Sequence, residues 1–428
     1  MVQYVILDDM KNCENVLLLQ GPRGDFFRKF GAYLRKRGMC VHKINFNGGD
    51  QLFYPDDAVP FAGKLEDFED FIEAFLREHD ISCLFLFGDC RPHHQIAKKV
   101  AHKKRLDVFV FEEGYIRPDY ITLEKSGVNG FSDIPFSPYF YKALDALAEK
   151  APIPAHASFG KMAFSAALYH LAEVAMRWRY PHYRYHKKYS LLTEPCYWVR
   201  SAYRKALYKH REKNTAKELS GDLKKKYFLV PLQVHDDSQV LFHSRYHTVE
   251  EFIEEVIASF AQSASKEHFL VFKHHPMDRG HKDYASLINR AAGRLAVLER
   301  IRYIHDLHLP ILLKNAVGVV VINSTVGLSS LYHNSPVKVM GNAIYCIPGL
   351  TYQECLDSFW NNPGHVNKKL YNRFRRFIID KTQLNGSYYG LFPFDETIQS
   401  ENTEADLPLA PADLAFVELK NLDSGMKV

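Results

Sequence analysis

Glu112 and Glu113 follow the apolar run Val108-Phe109-Val110-Phe111 and precede Gly114. Two adjacent carboxylates repel each other, so at least one is expected to hold its proton to a higher pH than usual. That suits a general base or a nucleophile. A structural reading also fits: one Glu caps the next segment and the other pairs with Arg117. A second group, Lys273-His274-His275-Pro276, ends the apolar run Phe269–Phe272. A lysine and imidazole donors at a strand end suit an anionic group such as a phosphate leaving group. Pro276 confines the backbone of His275 to extended geometry, limiting where its ring can point. The third group, Asn323-Ser324-Thr325, turns a strand into a helix. Its hydroxyls and free N–H groups can hold a phosphate, or simply cap the helix. His305 and His308 flank Asp306 and read as loop histidines, and no third ligand stands at a metal-binding spacing.

These groups need strands that end together. The first third of the chain alternates short β-rich runs with helical patterns, the signature of a parallel α/β sheet. Strands are expected at Val16–Leu19, Val41–Phe46, Cys83–Phe87 and Val108–Phe111, the last ending directly on Glu112. A second series starts at Tyr227 and runs through Phe269–Phe272, Val317–Ile322 and Val337–Met340. Open α/β sheets bind ligands outside the carboxyl ends of their strands, so three complementary polar strand ends in two α/β halves point to one cleft. The turn with Gly21 and Gly24 is neither a dinucleotide fingerprint nor a P-loop, and reads as a close backbone approach to substrate. The expected organisation is an N-terminal Rossmann-like domain over 1–210 with a basic and aromatic helical insertion at about 144–226. A C-terminal Rossmann-like domain over 211–350 follows, then helices over 351–393 that pack back, and an acidic tail over 394–428.

Composition sets limits. With 428 residues, 46% hydrophobic and 25% charged, the chain fits two large globular domains. Mean hydropathy is −0.27, and no apolar run reaches the roughly eighteen residues that a spanning helix needs. The N-terminal stretch carries Asp8 and Asp9 where an export signal would stay apolar, so a cytoplasmic protein is expected. Seven scattered cysteines without a CxxC pair read as reduced thiols. A net charge of +5 demands no nucleic-acid partner. The 25 Tyr and 30 Phe exceed what packing usually explains.

Read in order, Glu-Glu-Gly, His-Pro and Ser-Thr across two Rossmann-like halves resemble the motif set of bacterial CMP-sugar transferases, sialyltransferases among them. The longer strings LLLQGPRGDFF, FEEGYIRPDYITLE, VPLQVHDDSQ, FKHHPMDRG and INSTVGLSSLYHNSPVKVMGNAIY are similar to the capsule β-Kdo transferases of the KpsS/LipB type, from about Val16 to Gly390. The resemblance implies an α/β GT-B enzyme, two Rossmann-like domains facing a central cleft. It implies transfer of the first β-Kdo from CMP-β-Kdo to a (lyso)phosphatidylglycerol anchor, with retention of configuration, in the bacterial cytoplasm at the inner membrane. Glu113 falls on the family's catalytic acid, with Glu112 beside it; the family's Asp is replaced here by the longer Glu. His275 and Pro276 of the His-Pro motif, with Ser324 and Thr325, fall on the CMP phosphate contacts. Lys273, Asn323 and Gln233 are neighbouring candidates, and cytosine is expected toward the Tyr303–Leu309 loop. Arg117 and Arg23 are candidates to offset the charge of the donor. No metal or other cofactor is expected. Other capsule assembly proteins, including the processive β-Kdo transferase, are the expected partners.

Between Arg177 and Lys226 stand fifteen Lys or Arg against four Asp or Glu. Interleaved with them are Trp178, Tyr180, Tyr183, Tyr185, Tyr189, Tyr197, Trp198, Tyr203 and Tyr208. This mixture suits an anionic lipid surface, although RNA binding and a solvated helical face share it. Three other functions compete: a non-catalytic export component that binds polysaccharide or lipid, an inverting CMP-sugar transferase, and a nucleotide-sugar epimerase. A binding module has no need of paired acids and a phosphate site, and the epimerase lacks the His-Pro context.

Overall fold

The computed structural model of the chain describes residue 10 and residues 13–144, 151–184 and 194–395. Among them are twelve strands: β1 (Asn15–Leu18), β2 (Cys40–Asn45), β3 (Ala58–Pro60), β4 (Cys83–Phe87), β5 (Asp107–Glu113), β6 (Tyr120–Lys125), β7 (Tyr227–Pro231), β8 (Phe269–Lys273), β9 (Ile301–Ile304), β10 (Gly318–Val321), β11 (Val337–Val339) and β12 (Gln383–Asn385). The chain divides into two compact units. The first holds residues 1–133, 147–186 and 376–428, the second 134–146 and 187–375. The main crossing thus falls before residue 187 rather than after 210. Residues 134–146 belong to the second unit, and the chain returns to the first at Arg376 rather than at 351.

The first unit is built on a seven-stranded sheet of order β12-β6-β5-β4-β1-β2-β3. β1 to β5 run parallel, while β6 lies antiparallel to β5 and β12 antiparallel to β6. Strands such as Cys83–Phe87 are almost continuously apolar because a parallel sheet is covered on both faces. Phe26, Phe27 and Phe30, from the helix Phe26–Lys36, cover one face. Phe30 meets Phe85, Phe111 and Phe394 with ring centroids 5.0–5.1 Å apart. Much of the Phe excess is therefore this aromatic layer. Phe394, expected at the start of a loose tail, is a core residue, 2% exposed; residues 396–428 of that tail lie outside the described residues. The opposite face is covered from the helices Phe68–Glu78 and Pro92–Lys103.

Cys13 and Cys83 are paired as a disulfide on the first of these faces, with Cα atoms 5.8 Å apart. The expectation of reduced thiols therefore holds for Cys40, Cys90, Cys196, Cys346 and Cys355, none of which forms a disulfide.

The helix Phe159–Ala175 lies against the short helix Gly48–Phe53 at backbone contact. A Cβ on Gly48 would stand 2.1 Å from the Ala172 carbonyl oxygen, and one on Gly49 would stand 2.5 Å from the Tyr169 ring. Helix propensity alone favours Ala over Gly by about 1 kcal/mol. Overpacking costs about 1–3 kcal/mol and wins here. Gly48→Ala is expected to lower stability in urea unfolding by about 1–2 kcal/mol; an Ala variant as stable as the parent would refute the close approach.

The second unit carries a five-stranded, all-parallel sheet of order β11-β10-β7-β8-β9. The helix Val249–Ser263 buries Phe252, Ile253, Val256, Ile257 and Phe260 against this sheet, together with Trp360. The helices expected over 351–393 are Leu356–Phe359 and Lys368–Thr382, separated by an irregular stretch. The mixed α/β class with two Rossmann-like units is as the sequence led us to expect.

Candidate active site

In each unit the strand order reverses once. The reversal lies between β1 and β4 in the first unit and between β7 and β10 in the second. A crevice outside the carboxyl ends of the strands opens at such a switch point. The three groups singled out from the sequence lie on these two edges.

In the first unit β5 runs on through Glu113, so both acids are strand residues and their side chains point to opposite faces. Opposite them on β6 stand Thr122 and Ile121. The pair is held by its backbone. Tyr388 Oη donates to the Glu112 carbonyl at 2.7 Å, and Thr122 Oγ1 donates to the Glu113 carbonyl at 3.0 Å. The Glu113 N–H donates to Glu112 Oε1 at 3.0 Å. Gly114 is required, because a Cβ there would lie 2.0 Å from the Tyr120 carbonyl oxygen. Glu113 is exposed and Glu112 half-buried. The Glu112 carboxyl is pushed up to about 7, first by burial, then by the charges of Glu113 and Asp89. The Glu113 N–H and Arg91 oppose that rise. One raised carboxyl was expected; desolvation, more than mutual repulsion, raises it.

The surroundings of Glu112 include residues that the sequence did not single out. Asp89, after β4, is buried, paired with Lys98 at 2.8 Å, and accepts from the Val128 N–H. Arg91 reaches the Gly21 carbonyl at 3.4 Å, tying the ends of β4 and β1 together. Arg117 is exposed and donates through Nε to the Gly114 carbonyl at 3.1 Å, closing the turn after the acids. Arg23 lies in the turn after β1, two strands away from β5.

A buried polar network ends β1 and β2. Asp50 accepts from Gln20 Nε2, from Tyr169 Oη at 2.9 Å and from the Phe46 N–H at 3.0 Å. Asn47 Nδ2 also donates to Tyr169 Oη. Lys43, 2% exposed, shares a small cavity with Gly21, Gly24, Arg28 and Asp50, and burial pushes its ammonium down to about 8. The one sequence signal was a lysine within the short run expected as the second strand.

In the second unit the ends of β10, β7 and β8 are neighbours, which brings Asn323–Thr325, Gln233 and Lys273–Pro276 onto one edge. Gln233 Nε2 donates to Asn323 Oδ1 at 3.0 Å, and Asn323 Nδ2 donates to the Gln239 carbonyl, so both amides brace the edge. Lys273 is buried, donates to the His305 carbonyl at 3.2 Å, and is pushed down to about 8 by burial. His275 Nδ1 accepts from the Met277 N–H at 3.2 Å, which leaves the proton on Nε2 as a donor. Pro276 is exposed. Ser324 Oγ accepts from the Val326 N–H, and Thr325 opens the helix Val326–Tyr332; both are half-exposed. His275 and Ser324 stand two strand spacings apart, about 10 Å.

The Tyr303–Leu309 stretch starts inside β9, where Tyr303 Oη meets His274 Nδ1 at 2.7 Å. His305 is not a solvated loop histidine. It is buried, bonded to Glu212 at 2.8 Å and stacked on Tyr208 at 3.6 Å.

The structure adds His235 to this edge. Its Nδ1 lies 2.6 Å from Oδ1 of the fully buried Asp278, whose other oxygen accepts from the His235 N–H. The bond to Asp278 raises the imidazole pKa against the opposing effect of its partial burial. Burial alone would raise the Asp278 carboxyl, but the bonds and charges of His235 and His274 outweigh it and hold the carboxyl low. A raised histidine value means that the ion pair contributes its full stability below the unfolded value near 6.5 and loses it as pH rises through the folded value. If this cation meets an anion, binding should weaken over the same window. Inorganic phosphate or CMP affinity is expected to fall roughly 3–10-fold above that window, and His235→Asn to flatten the profile. A pH dependence unchanged in His235→Asn, measured by calorimetry, would remove His235 from the site.

A family profile described as "Capsule polysaccharide biosynthesis protein" matches residues 82–389, the stretch that carries all three groups. The chain is 40% identical over 414 residues to the capsule polysaccharide modification protein LipB of Neisseria meningitidis serogroup B, covering 94% of this chain and 99% of that protein. It is 42% identical over 381 residues to the capsule polysaccharide export protein KpsS of Escherichia coli, covering 87% and 96%. Among solved structures it is similar to Thermosulfurimonas dismutans KpsC, a beta Kdo 2,7 transferase, at 16% identity and a TM-score of 0.38, covering 84% and 89%. That likeness is too low to transfer an activity. The sequence relatives cover the chain almost end to end, and the chain belongs to the capsule polysaccharide biosynthesis protein family.

Proposed function

We propose that this protein is a retaining glycosyltransferase that moves β-Kdo from CMP-β-Kdo to a (lyso)phosphatidylglycerol acceptor, beginning the linker on which a capsular polysaccharide is built. The observation that carries this reading is the division of chemistry between the two switch-point edges. One edge presents the acid pair Glu112 and Glu113. The other presents an imidazole donor on His275, the His235–Asp278 pair and the hydroxyls of Ser324 and Thr325. A sugar nucleotide needs both: donors for the phosphate that leaves, and a carboxylate for the carbon that becomes cationic. Membership of a capsule biosynthesis family and the motif resemblance support Kdo as the sugar.

In this mechanism the Glu113 carboxylate attacks the anomeric carbon of Kdo as its bond to the CMP phosphate breaks, and CMP departs with the bonding pair. The His275 Nε2–H, protonated His235 and the hydroxyls of Ser324 and Thr325 stabilise the phosphate charge. An acceptor hydroxyl then displaces Glu113 from the opposite face and gives up its proton to water, Glu113 leaves as the carboxylate, and two inversions restore the β configuration. Glu112 positions its neighbour through the Glu113 N–H. The scheme needs no metal and no other cofactor. CMP release from CMP-β-Kdo by the purified chain tests it. Release that depends on a lysophosphatidylglycerol acceptor supports it, and a folded protein that binds neither CMP nor CMP-β-Kdo would refute it.

A lipid acceptor places the work at the inner-membrane surface, alongside other capsule assembly proteins such as the processive β-Kdo transferase. No helix among the described residues is long and apolar enough to cross a membrane. The basic and aromatic stretch contributes less to a docking face than its composition promised. Tyr180 and Tyr183 are packed in the first unit, where they bond to Gln51 and Gln20. Tyr197 and Tyr208 stack on His281 and His305 in the second unit, while Tyr185 and Tyr189 lie outside the described residues. Arg204 donates to the carbonyls of Arg279 and Lys282, so its role is structural. Trp198 and Tyr203, with Arg200, Lys205 and Lys209, remain exposed on the helix Glu194–Arg211 and support surface attraction.

A further inference from the structure

The helix Phe159–Ala175 has two faces of different character. Its inner side is fixed by Tyr169 and Ala172, which lie on Gly49 and Gly48, and by the Tyr169 hydroxyl in the Asp50 network. Its outer side is apolar and open. Phe164 is 65% exposed, Leu171 62% and Val174 51%, and Trp178, just past the end, 78%. At 3.6 residues per turn, Phe164, Ala167, Leu171, Val174 and Ala175 fall within an arc of about 100°, so the exposure is one continuous stripe some 15 Å long.

The charges beside this stripe identify what covers it. From Phe159 to Arg184 there is one carboxylate, Glu173, and it is held by His170 at 3.1 Å. Lys161, Arg177, Arg179 and Arg184 are exposed. A second copy of the chain would bring the same arginines together with no carboxylate from this segment to meet them. A stable dimer also needs roughly 800 Å² per partner, more than one five-residue stripe offers. An anionic bilayer answers both features, with acyl chains for the stripe and lipid phosphates for the arginines, and a tryptophan suits the boundary between them.

We infer that the helix Phe159–Ala175 docks in the plane of an anionic lipid surface, its Phe164–Val174 stripe among the acyl chains and Arg177, Arg179 and Arg184 on the lipid phosphates. The inference rests on the reading that the acceptor is a lipid. It adds the inserting element, which ends where the basic stretch begins. The inner face of this helix supplies Tyr169 to the carboxyl ends of β1 and β2, so lipid and first-unit edge meet on one element.

The full chain carrying Trp198→Phe tests this, since Trp360 is buried and Trp178 then reports alone at the surface. With phosphatidylglycerol/phosphatidylcholine vesicles brominated in the acyl chains, Trp178 emission should be quenched. Leu171→Glu with Val174→Glu should cut vesicle binding about tenfold or more. Arg179→Glu with Arg184→Glu should remove the preference for phosphatidylglycerol over phosphatidylcholine alone. Unquenched Trp178, or binding indifferent to both pairs of changes, would overturn the inference. So would a parent dimer that Leu171→Glu turns into a monomer. CMP release with a soluble acceptor analogue separates the two readings. Trp178 quenching in a Trp198→Phe protein that releases no CMP would sink the transferase and leave the docking helix standing.

Discussion

Glu113→Gln is expected to abolish Kdo transfer, by at least about three orders of magnitude, while CMP still binds. The residue is exposed at the end of β5, and its main chain is fixed by Thr122 and Glu112. An amide of the same shape keeps those bonds but cannot form the glycosyl ester. Glu112→Gln should do much less, because Glu112 touches the reaction only through its neighbour. It should instead erase an inflection near pH 7 in the rate, since Glu112 is the carboxyl that burial lifts to about 7. Enzyme trapped with CMP-β-Kdo and a poor acceptor should carry one Kdo on the Glu113 peptide. Full turnover in Glu113→Gln would remove the residue from the mechanism. An inactive variant with no trapped adduct and an inverted product would make Glu113 a general base instead.

The second large effect is expected at His275. With Nδ1 occupied by the Met277 N–H, the ring presents Nε2–H as a donor, and a charge-assisted bond to phosphate contributes about 1.5–3 kcal/mol. His275→Ala should therefore weaken CMP binding roughly 10–100-fold by calorimetry, with little change in the thermal midpoint because the side chain is half-exposed. Unchanged CMP affinity in a folded variant would move the phosphate elsewhere. Lys273 offers a contrast. Its ammonium already serves the His305 carbonyl inside the edge, so Lys273→Met should be felt in stability before it is felt in binding.

What the sequence disclosed follows from how local each signal is. Runs such as Cys83–Phe87 and Phe269–Phe272 announce themselves because a strand covered on both faces must be apolar throughout. The polar groups that end them were legible for the same reason. β6 and β12 were not. β12 is three residues, Gln383–Asn385, and exists because its edge pairs with a strand more than 250 residues earlier. The role of His235 was equally hidden, since its charge depends on Asp278, 43 residues away. The aromatic residues after Arg177 misled because composition does not tell a packed ring from an exposed one. Tyr180 and Trp178 are two residues apart, yet one is 2% and the other 78% exposed. The domain boundary was misplaced because the chain changes unit more than once, so no single break in the sequence marks it.

The central claim is a transfer reaction, and its product is a lipid. Purified protein incubated with CMP-β-Kdo and lysophosphatidylglycerol in anionic vesicles should yield a lipid heavier by one Kdo residue, β-linked, together with an equal amount of CMP by mass spectrometry. Intact CMP-β-Kdo beside an unchanged lipid, with folded and vesicle-bound protein, would contradict the account.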